Sequence, residues 1–153
     1  MKIRKATLSD AMKISLLGRE TLRRIVSKDY SKKLMKIMLE KYNFDNTLKS
    51  IGEENVFCLW DNEKLIGTVS LKNNMVGRVY IKFNQIGKGY GKKLMNFIES
   101  YSKKRKIKKL FLFTTIGAEK FYENIGYKKL RGKFVEIWDG KKINDLKMEK
   151  KLK

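Results

Sequence analysis

The chain has 153 residues, 42% of them hydrophobic, and it carries 37 Lys and Arg against 16 Asp and Glu, a formal net charge of +21. This length and composition predict one packed domain spanning residues 1–153. Since there is neither a signal-peptide start nor an apolar run of the roughly 20 residues that cross a bilayer, we expect a cytoplasmic protein. The absence of His and the presence of a single Cys exclude Ser-His and Cys-His nucleophile pairs, a His general base and zinc sites built on His or paired Cys, so we expect no metal.

The first half of the chain predicts a strand, helices and an antiparallel meander. Residues 2–6 alternate like a short strand, and Thr7–Asp10 offers a capping-box start to a helix that runs to about Val26. A second helix follows the capping segment Asp29–Ser31, and a short one is expected over residues 46–51. The meander is predicted as strands at residues 56–60, 65–71 and 76–83. Cys58, inside the first of these strands, is expected to be a small buried core residue.

The pattern changes after the third strand of the meander. Residues 85–91 form a glycine loop, and the segment after it has its apolar residues on one helical face. The later elements are a buried strand at 110–114, a short helix at 118–124, a strand at 134–138, and a last strand near 143–148. A strand–helix–strand crossover makes the strands at 76–83 and 110–114 parallel. We therefore expect an α/β fold with a mixed central sheet, an antiparallel N-terminal meander plus a parallel strand pair, flanked by helices.

The glycine loop is a candidate anion site. Glycines let backbone N–H groups approach phosphate oxygens, and a helix N-terminus adds positive potential. The segment Gln85-Ile86-Gly87-Lys88-Gly89-Tyr90-Gly91 lacks the spacing and the hydroxyl of a P-loop. It also departs from the dinucleotide-binding fingerprint, which needs G-x-G-x-x-G and an acidic residue about 20 residues further on. Taken alone, the loop is also compatible with a plain tight turn.

The same segment resembles the coenzyme loop of the GNAT acyltransferase family, Gln/Arg-x-x-Gly-x-Gly/Ala between a strand and a helix. A second segment, residues 118–127, reads Ala-Glu-Lys-Phe-Tyr-Glu-Asn-Ile-Gly-Tyr and is similar to the family's A-x-x-F-Y-E-x-x-G-F/Y. The opening residues 3–6 and the ending 148–152 also resemble the family, so the likeness covers essentially the whole chain. It departs from the family pattern at Ile86, Phe83 and Gly117, where the family frequently has Gln or Arg, Pro, and Asn.

The resemblance implies an N-acetyltransferase that moves an acetyl group from acetyl-CoA directly to an amine. In the family, the two parallel strands splay apart and the pantetheine arm of CoA bonds to the opened strand, here around Ile81, Lys82 and Phe83. The backbone of the loop holds the CoA pyrophosphate, which implies these binding residues: Gly87, Lys88, Gly89, Tyr90, Gly91 and Lys92. The family's general acid is the Tyr of the second segment. Tyr122 is therefore the candidate catalytic residue, with core packing as its alternative role.

The group that removes the proton from the amine is left open by the sequence. Glu20, Asp29 and Tyr30 lie where the family builds its acceptor pocket, and water is a fourth candidate. The resemblance implies a small-molecule or protein amine as the acceptor without naming it, and a homodimer is left open.

Two other functions compete with the enzyme hypothesis. Ile86 and Gly117 motivate a catalytically inactive domain that binds CoA, whereas the net charge motivates a basic nucleic-acid-binding module. Against the latter, Lys is spread along the chain, Arg is scarce, and no helix-turn-helix, zinc or RNP signature is present. We therefore interpret the Lys excess as compositional drift and expect no specific nucleic-acid partner and no membrane partner.

Overall fold

The computed structural model describes residues 1–153. It contains eight strands and five α-helices joined by loops and short 3-10 turns, with the following bounds: β1 Lys2–Lys5, α1 Ala11–Arg24, α2 Lys32–Lys41, α3 Phe44–Glu53, β2 Asn55–Asp61, β3 Lys64–Lys72, β4 Met75–Ile81, α4 Tyr90–Lys104, β5 Lys109–Thr114, α5 Glu119–Asn124, β6 Lys128–Lys129, β7 Phe134–Trp138 and β8 Lys141–Lys151. None of the helices combines the length and the apolar composition needed to cross a bilayer.

The elements predicted from the sequence are present; β4 and β8 differ most from their predicted bounds, and β6 was not predicted. β4 ends at Ile81 rather than at residue 83, because Phe83–Gln85 form a 3-10 turn that leads into the glycine loop. β8 is longer than expected and runs to Lys151. β6 has only two residues, which is too short for any alternation to predict it.

The strands form one mixed sheet in the order β1-β2-β3-β4-β5-β8-β6, with β7 paired to β8 as a hairpin. The pairs from β1 to β4 are antiparallel, and β4 and β5 are parallel. The predicted mixed α/β architecture is therefore confirmed.

The parallel pair is short. Only two residue pairs join β4 to β5, Met75 with Phe111 and Val76 with Leu112. Beyond them β4 continues to Ile81 beside β3, whereas β5 stays paired with β8 as far as Thr114. The two strands diverge, and a cleft opens between their carboxyl ends.

Helices cover both faces of the sheet and bury residues 56–60 of β2. Phe57 and Leu59 share one core cluster with residues of α4, such as Leu94, Met95 and Ile98. Val56, Cys58 and Trp60 share the other cluster with residues of α1. Successive residues of a strand point to opposite faces, which explains why residues 56–60 are apolar without alternation. Cys58 is fully buried, as predicted, and burial raises the pKa of its thiol to about 12.

The β7–β8 hairpin packs against α2 and closes one end of the cleft. Lys41 of α2 forms an ion pair with Glu136 of β7, and Lys141 pairs with Glu40 of α2 at 3.0 Å. Ile143 of the hairpin is fully buried in a cluster with Leu22, Met38 and Tyr42. The hairpin and the N-terminal helices therefore form facing walls.

Candidate functional site

The glycine loop has a backbone that only glycine adopts readily. Gly87 and Gly89 have φ of 84° and 82°, in the left-handed region that disfavours residues with a Cβ. Gly89 is the N-cap residue of α4. A Cβ built on either glycine would meet no atom within 4 Å. The loop therefore leaves open space above its backbone, at the N-terminus of a 15-residue helix.

The loop also presents a row of unpaired donors. None of the backbone N–H groups of residues 87–92 has a hydrogen-bond acceptor in the protein, while Lys93 N–H bonds back to the Gly89 carbonyl at 3.0 Å. The first N–H groups of a helix lack intrahelical partners and carry the positive end of its dipole. Lys88, Lys92 and Lys93 add positive charge to this exposed stretch. These residues can hold a phosphate group through their backbone.

Of the three residues expected beside the pantetheine arm, Ile81 has the suitable backbone. Lys82 donates its N–H to the Ile66 carbonyl of β3 at 2.8 Å. Because neighbouring residues of a strand direct their N–H and C=O groups to opposite sides, Ile81 directs its own toward the cleft. Phe83 begins the 3-10 turn, and the Arg24 guanidinium lies 4.9 Å from the centre of its ring.

A cavity of about 1060 Å³ connects the glycine loop to the β7–β8 hairpin through the opened sheet. Its lining includes Tyr122 and most of the predicted CoA-binding residues, namely Ile81, Gly87, Gly89, Tyr90, Gly91 and Lys92. Lys82, Phe83 and Lys88 lie outside the lining. The loop and the candidate catalytic residue therefore share one cavity.

Tyr122 lies on α5 with its ring buried and its hydroxyl unpaired. The side chain is 7% exposed, and the hydroxyl makes no hydrogen bond in the protein. Burial raises the pKa of Tyr122 well above its usual value, and the nearby Tyr42 phenol adds to the shift. Tyr122 therefore stays protonated at neutral pH and can donate a proton but not accept one.

The packing of α5 against the start of α4 positions Tyr122 beside the loop. The preceding residue, Phe121, contacts Gly91 so closely that a Cβ there would lie 3.1 Å from the Phe121 ring. Gly91 is therefore required by the close approach of the two helices rather than by its backbone conformation.

The end of the cavity beside the β7–β8 hairpin contains a carboxylate, Asp145, that the sequence analysis missed. The Tyr30 hydroxyl donates a hydrogen bond of 2.6 Å to Asp145 Oδ1, and Oδ2 has no donor in the protein. Burial raises the pKa of Asp145 to about 7, although the Tyr30 hydrogen bond opposes that shift. The sequence offered one signal for Asp145, its position in the strand. Alternate residues of a strand face the same side, and Asp145 is two residues from the buried Ile143.

The three candidates for the proton acceptor are placed differently. Glu20 pairs with Arg24 at 3.1 Å and lies outside the cavity lining. Asp29 lines the cavity, and its carboxylate lies 2.8 Å from the position of a Cβ on Gly117. Burial and the neighbouring Asp145 raise the pKa of Tyr30, so this phenol stays protonated. Gly117 thus makes room for Asp29, and Tyr30 serves as a donor to Asp145.

Arg78 of β4 is a second residue of the cavity that the sequence analysis missed. The register between β3 and β4 shifts here by one residue, and Arg78 has a φ of 49°, as expected of a β-bulge. The Thr68 hydroxyl bonds to its carbonyl at 2.7 Å, and its guanidinium bonds to Ser50 Oγ at 2.7 Å. Nothing in the local sequence marks the bulge.

No group of three or more Asp, Glu or Cys side chains is arranged to hold a metal ion.

Comparison with known proteins places this arrangement in context. A family profile described as "Acetyltransferase (GNAT) domain" matches residues 25–152, whereas no curated protein sequence matches the chain. The chain is similar to a PaiA N-acetyltransferase from Thermoplasma acidophilum solved in complex with coenzyme A, with 27% identity, a TM-score of 0.78 and coverage of 98% of each chain.

Two further solved structures share the fold at lower identity. A GCN5-related N-acetyltransferase from Rhodopseudomonas palustris has 16% identity and a TM-score of 0.88, over 99% of this chain and 95% of that one. A GNAT-family acetyltransferase from Staphylococcus aureus has 17% identity and a TM-score of 0.74, over 99% of both chains.

Proposed function

The chain belongs to the GNAT acetyltransferase family, and on that premise we propose that it transfers the acetyl group of acetyl-CoA directly to the nitrogen of an amine. The observation that carries the proposal is the row of unpaired N–H groups at residues 87–92, which opens into the same cavity as the unpaired Tyr122 hydroxyl. Residues 1–153 act as one domain in this proposal.

The donor fits the loop and the opened sheet. The N–H groups of residues 87–92 hold the pyrophosphate at the start of α4, where the helix dipole favours negative charge. Ile81 offers its backbone groups to the amides of the pantetheine arm. The solved relative from Thermoplasma acidophilum, at 27% identity, is itself a coenzyme A complex, which supports the same ligand here.

Tyr122 serves as the general acid. The amine nitrogen forms a bond to the thioester carbonyl carbon as the carbon–sulfur bond breaks, and the departing sulfur takes the Tyr122 proton. The raised pKa of Tyr122 keeps the phenol protonated at neutral pH, so its proton is present when the thiolate departs.

Asp145 accepts the proton that the amine loses. It lies at the acceptor end of the cavity, its Oδ2 is unpaired, and its pKa of about 7 is suited to a base at neutral pH. Tyr30 orients the carboxylate through the bond to Oδ1. The proton that reaches Asp145 passes to solvent, and Tyr122 regains a proton as the products leave.

A turnover screen tests the proposal. The protein is mixed with acetyl-CoA and a panel of amines, and free CoA thiol is measured over time with mass detection of the acetylated amine. We expect amine-dependent thiol release with equal formation of N-acetyl product. If acetyl-CoA binds but no amine is acetylated, the chain is a CoA-binding domain without this activity.

A further inference from the structure

Arg78 is a charged residue of the cavity that the proposed chemistry leaves unused. Arg78 is 8% exposed and lines the cavity, yet no carboxylate lies within 4.0 Å of its guanidinium. The neighbouring Lys41 takes Glu136 as its own partner. Buried charges in proteins are normally paired, so a cation without an anion in this position is unusual.

The guanidinium is held in place with most of its donors free. Its one hydrogen bond is from Nη2 to Ser50 Oγ at 2.7 Å, and its carbon lies 4.7 Å from the centre of the Tyr42 ring. Arg has five N–H donors in a planar fork that matches a carboxylate in two parallel hydrogen bonds. The bulge in β4 and the Tyr42 ring fix where that fork lies.

The position of Arg78 assigns its anion to the acceptor rather than to the donor. The donor's pyrophosphate belongs at residues 87–92, beyond the carboxyl end of β4, whereas Arg78 lies three residues before Ile81, about 10 Å along the strand at about 3.3 Å per residue. The thioester end of the donor is uncharged. Tyr42, which contacts Arg78, also packs edge to face against Tyr80 at 5.3 Å, on the side of the cleft lined by α1 and α2.

We propose that Arg78 binds a carboxylate of the acceptor, so that the substrate is a small amine that also carries a carboxylate, such as an amino acid. The inference rests on the proposed acetyl transfer to an amine. Arg78 binds the substrate and determines specificity, while Tyr122 and Asp145 act on the reacting groups.

Matched acceptors and two variants test the assignment. The panel contains amino acids and ω-amino acids of increasing chain length, each beside its carboxamide and its phosphonate analogue, and kcat/KM is measured for each. The wild-type protein is expected to prefer the carboxylate over the carboxamide by about 30-fold or more, the effect of leaving a buried charge unpaired. In Arg78→Gln, kcat/KM for the carboxylate should fall to that for the carboxamide, and Arg78→Lys should restore part of the preference.

The control variant is Arg105→Gln, which removes a guanidinium that stacks on Tyr101 at 4.3 Å on the far end of α4. It should keep the wild-type preference. Acetyl-CoA affinity, measured by calorimetry for all three variants, checks that each remains folded.

A binding measurement separates this inference from the proposed function. The Nε–Hε NMR signal of Arg78, assigned by its loss in Arg78→Lys, should shift on addition of the best amino acid to the CoA-loaded protein and should not shift with its carboxamide. Acetylation of amines without that shift or preference overturns the Arg78 assignment and leaves the proposed function intact. If the Arg78 signal shifts but no amine is acetylated, the proposed function is overturned and the binding of a carboxylate at Arg78 is kept. Preference for the phosphonate overturns the carboxylate assignment.

Discussion

At the scale of single residues, the site depends on side chains whose protonation state is set by burial. Burial raises the pKa of both Tyr122 and Asp145, because the charged form of each side chain loses hydration. For the phenol this preserves an acid, because the neutral form holds the proton. For the carboxyl group it produces a base that is only half ionised near pH 7. The same physical cause therefore yields opposite chemical roles.

Tyr122→Phe tests the acid. The variant keeps the ring and so the packing, but it removes the proton offered to the leaving thiolate. We expect kcat to fall by about 10²–10⁴-fold, with nearly unchanged acetyl-CoA affinity in calorimetry. Tyr127→Phe is the matched control, because its hydroxyl is also unpaired and buried, 5.9 Å away ring to ring, but outside the cavity lining. Wild-type turnover in Tyr122→Phe would return Tyr122 to a packing role.

Asp145→Asn tests the base through pH dependence. In the wild type, the rate at saturating substrate should rise with pH through about 7, as Asp145 loses its proton. The variant should be slower at neutral pH and should lack that rise, which a stopped-flow pH series measures. An unchanged acid limb would exclude Asp145 and return the role to Asp29 or water.

The Asp145 carboxyl group also makes the stability of the fold depend on pH, and this effect can be measured without substrate. Its folded pKa of about 7 lies above the usual 3.8 of the unfolded chain, so between those values the native state binds more protons. The contribution of Asp145 to stability should therefore fall as pH rises from about 4 to about 7 and should be constant outside that window. In thermal melts, Asp145→Asn should lose this decline, whereas Glu63→Gln, on the exposed β2–β3 turn, should keep it.

At the scale of elements, the glycine loop is a test of backbone recognition. Gly89→Asp places a carboxylate and a Cβ where φ is 82° and where phosphate oxygens are to bind. We expect acetyl-CoA binding to be nearly abolished in calorimetry while the far-ultraviolet spectrum stays native. Gly140→Asp is the matched control, with a φ of 69° and equally open space in the β7–β8 turn. Wild-type affinity in Gly89→Asp would refute the loop assignment.

The elements themselves could be predicted because their signals are local. Apolar periodicity and the capping residues each act within a few residues, and they predicted the order of strands and helices. The glycine loop, which is continuous in sequence, was found in the same way. The parallel pairing followed from the crossover rule.

Asp145 and Arg78 were not predicted, because distant segments bring them into the cavity. Tyr30 and Asp145 are separated by 115 positions in sequence yet share a hydrogen bond. Arg78 faces the cavity through a bulge whose residue types are ordinary for a strand. No motif marks Asp145 or Arg78, whereas Asp29 and Tyr30, which were expected near the acceptor pocket, do line the cavity.

At the scale of the whole molecule, the charge of +21 attracts polyanions without specifying one. Binding to duplex DNA should be independent of sequence and should weaken by more than about tenfold between about 50 and about 200 mM salt, because it depends on counterion release. Fluorescence anisotropy with two unrelated duplexes measures this. A sequence-dependent complex that persists at about 200 mM salt would instead identify a nucleic-acid partner.

The short β4–β5 pairing has a mechanical consequence. β4 and β5 share only two residue pairs, so the strand pairing between the two halves of the sheet is a narrow hinge, and one core cluster with residues of α4 packs across it. A pantetheine arm bonded to Ile81 would fill the cleft beside that hinge and restrict its motion. In hydrogen exchange, the backbone on both sides of the cleft should then slow on addition of acetyl-CoA, while β1–β2 stays unchanged. If acetyl-CoA stiffens the hinge in this way, it also orders the cavity wall on the acceptor side, and we expect the two substrates to bind in order, acetyl-CoA first.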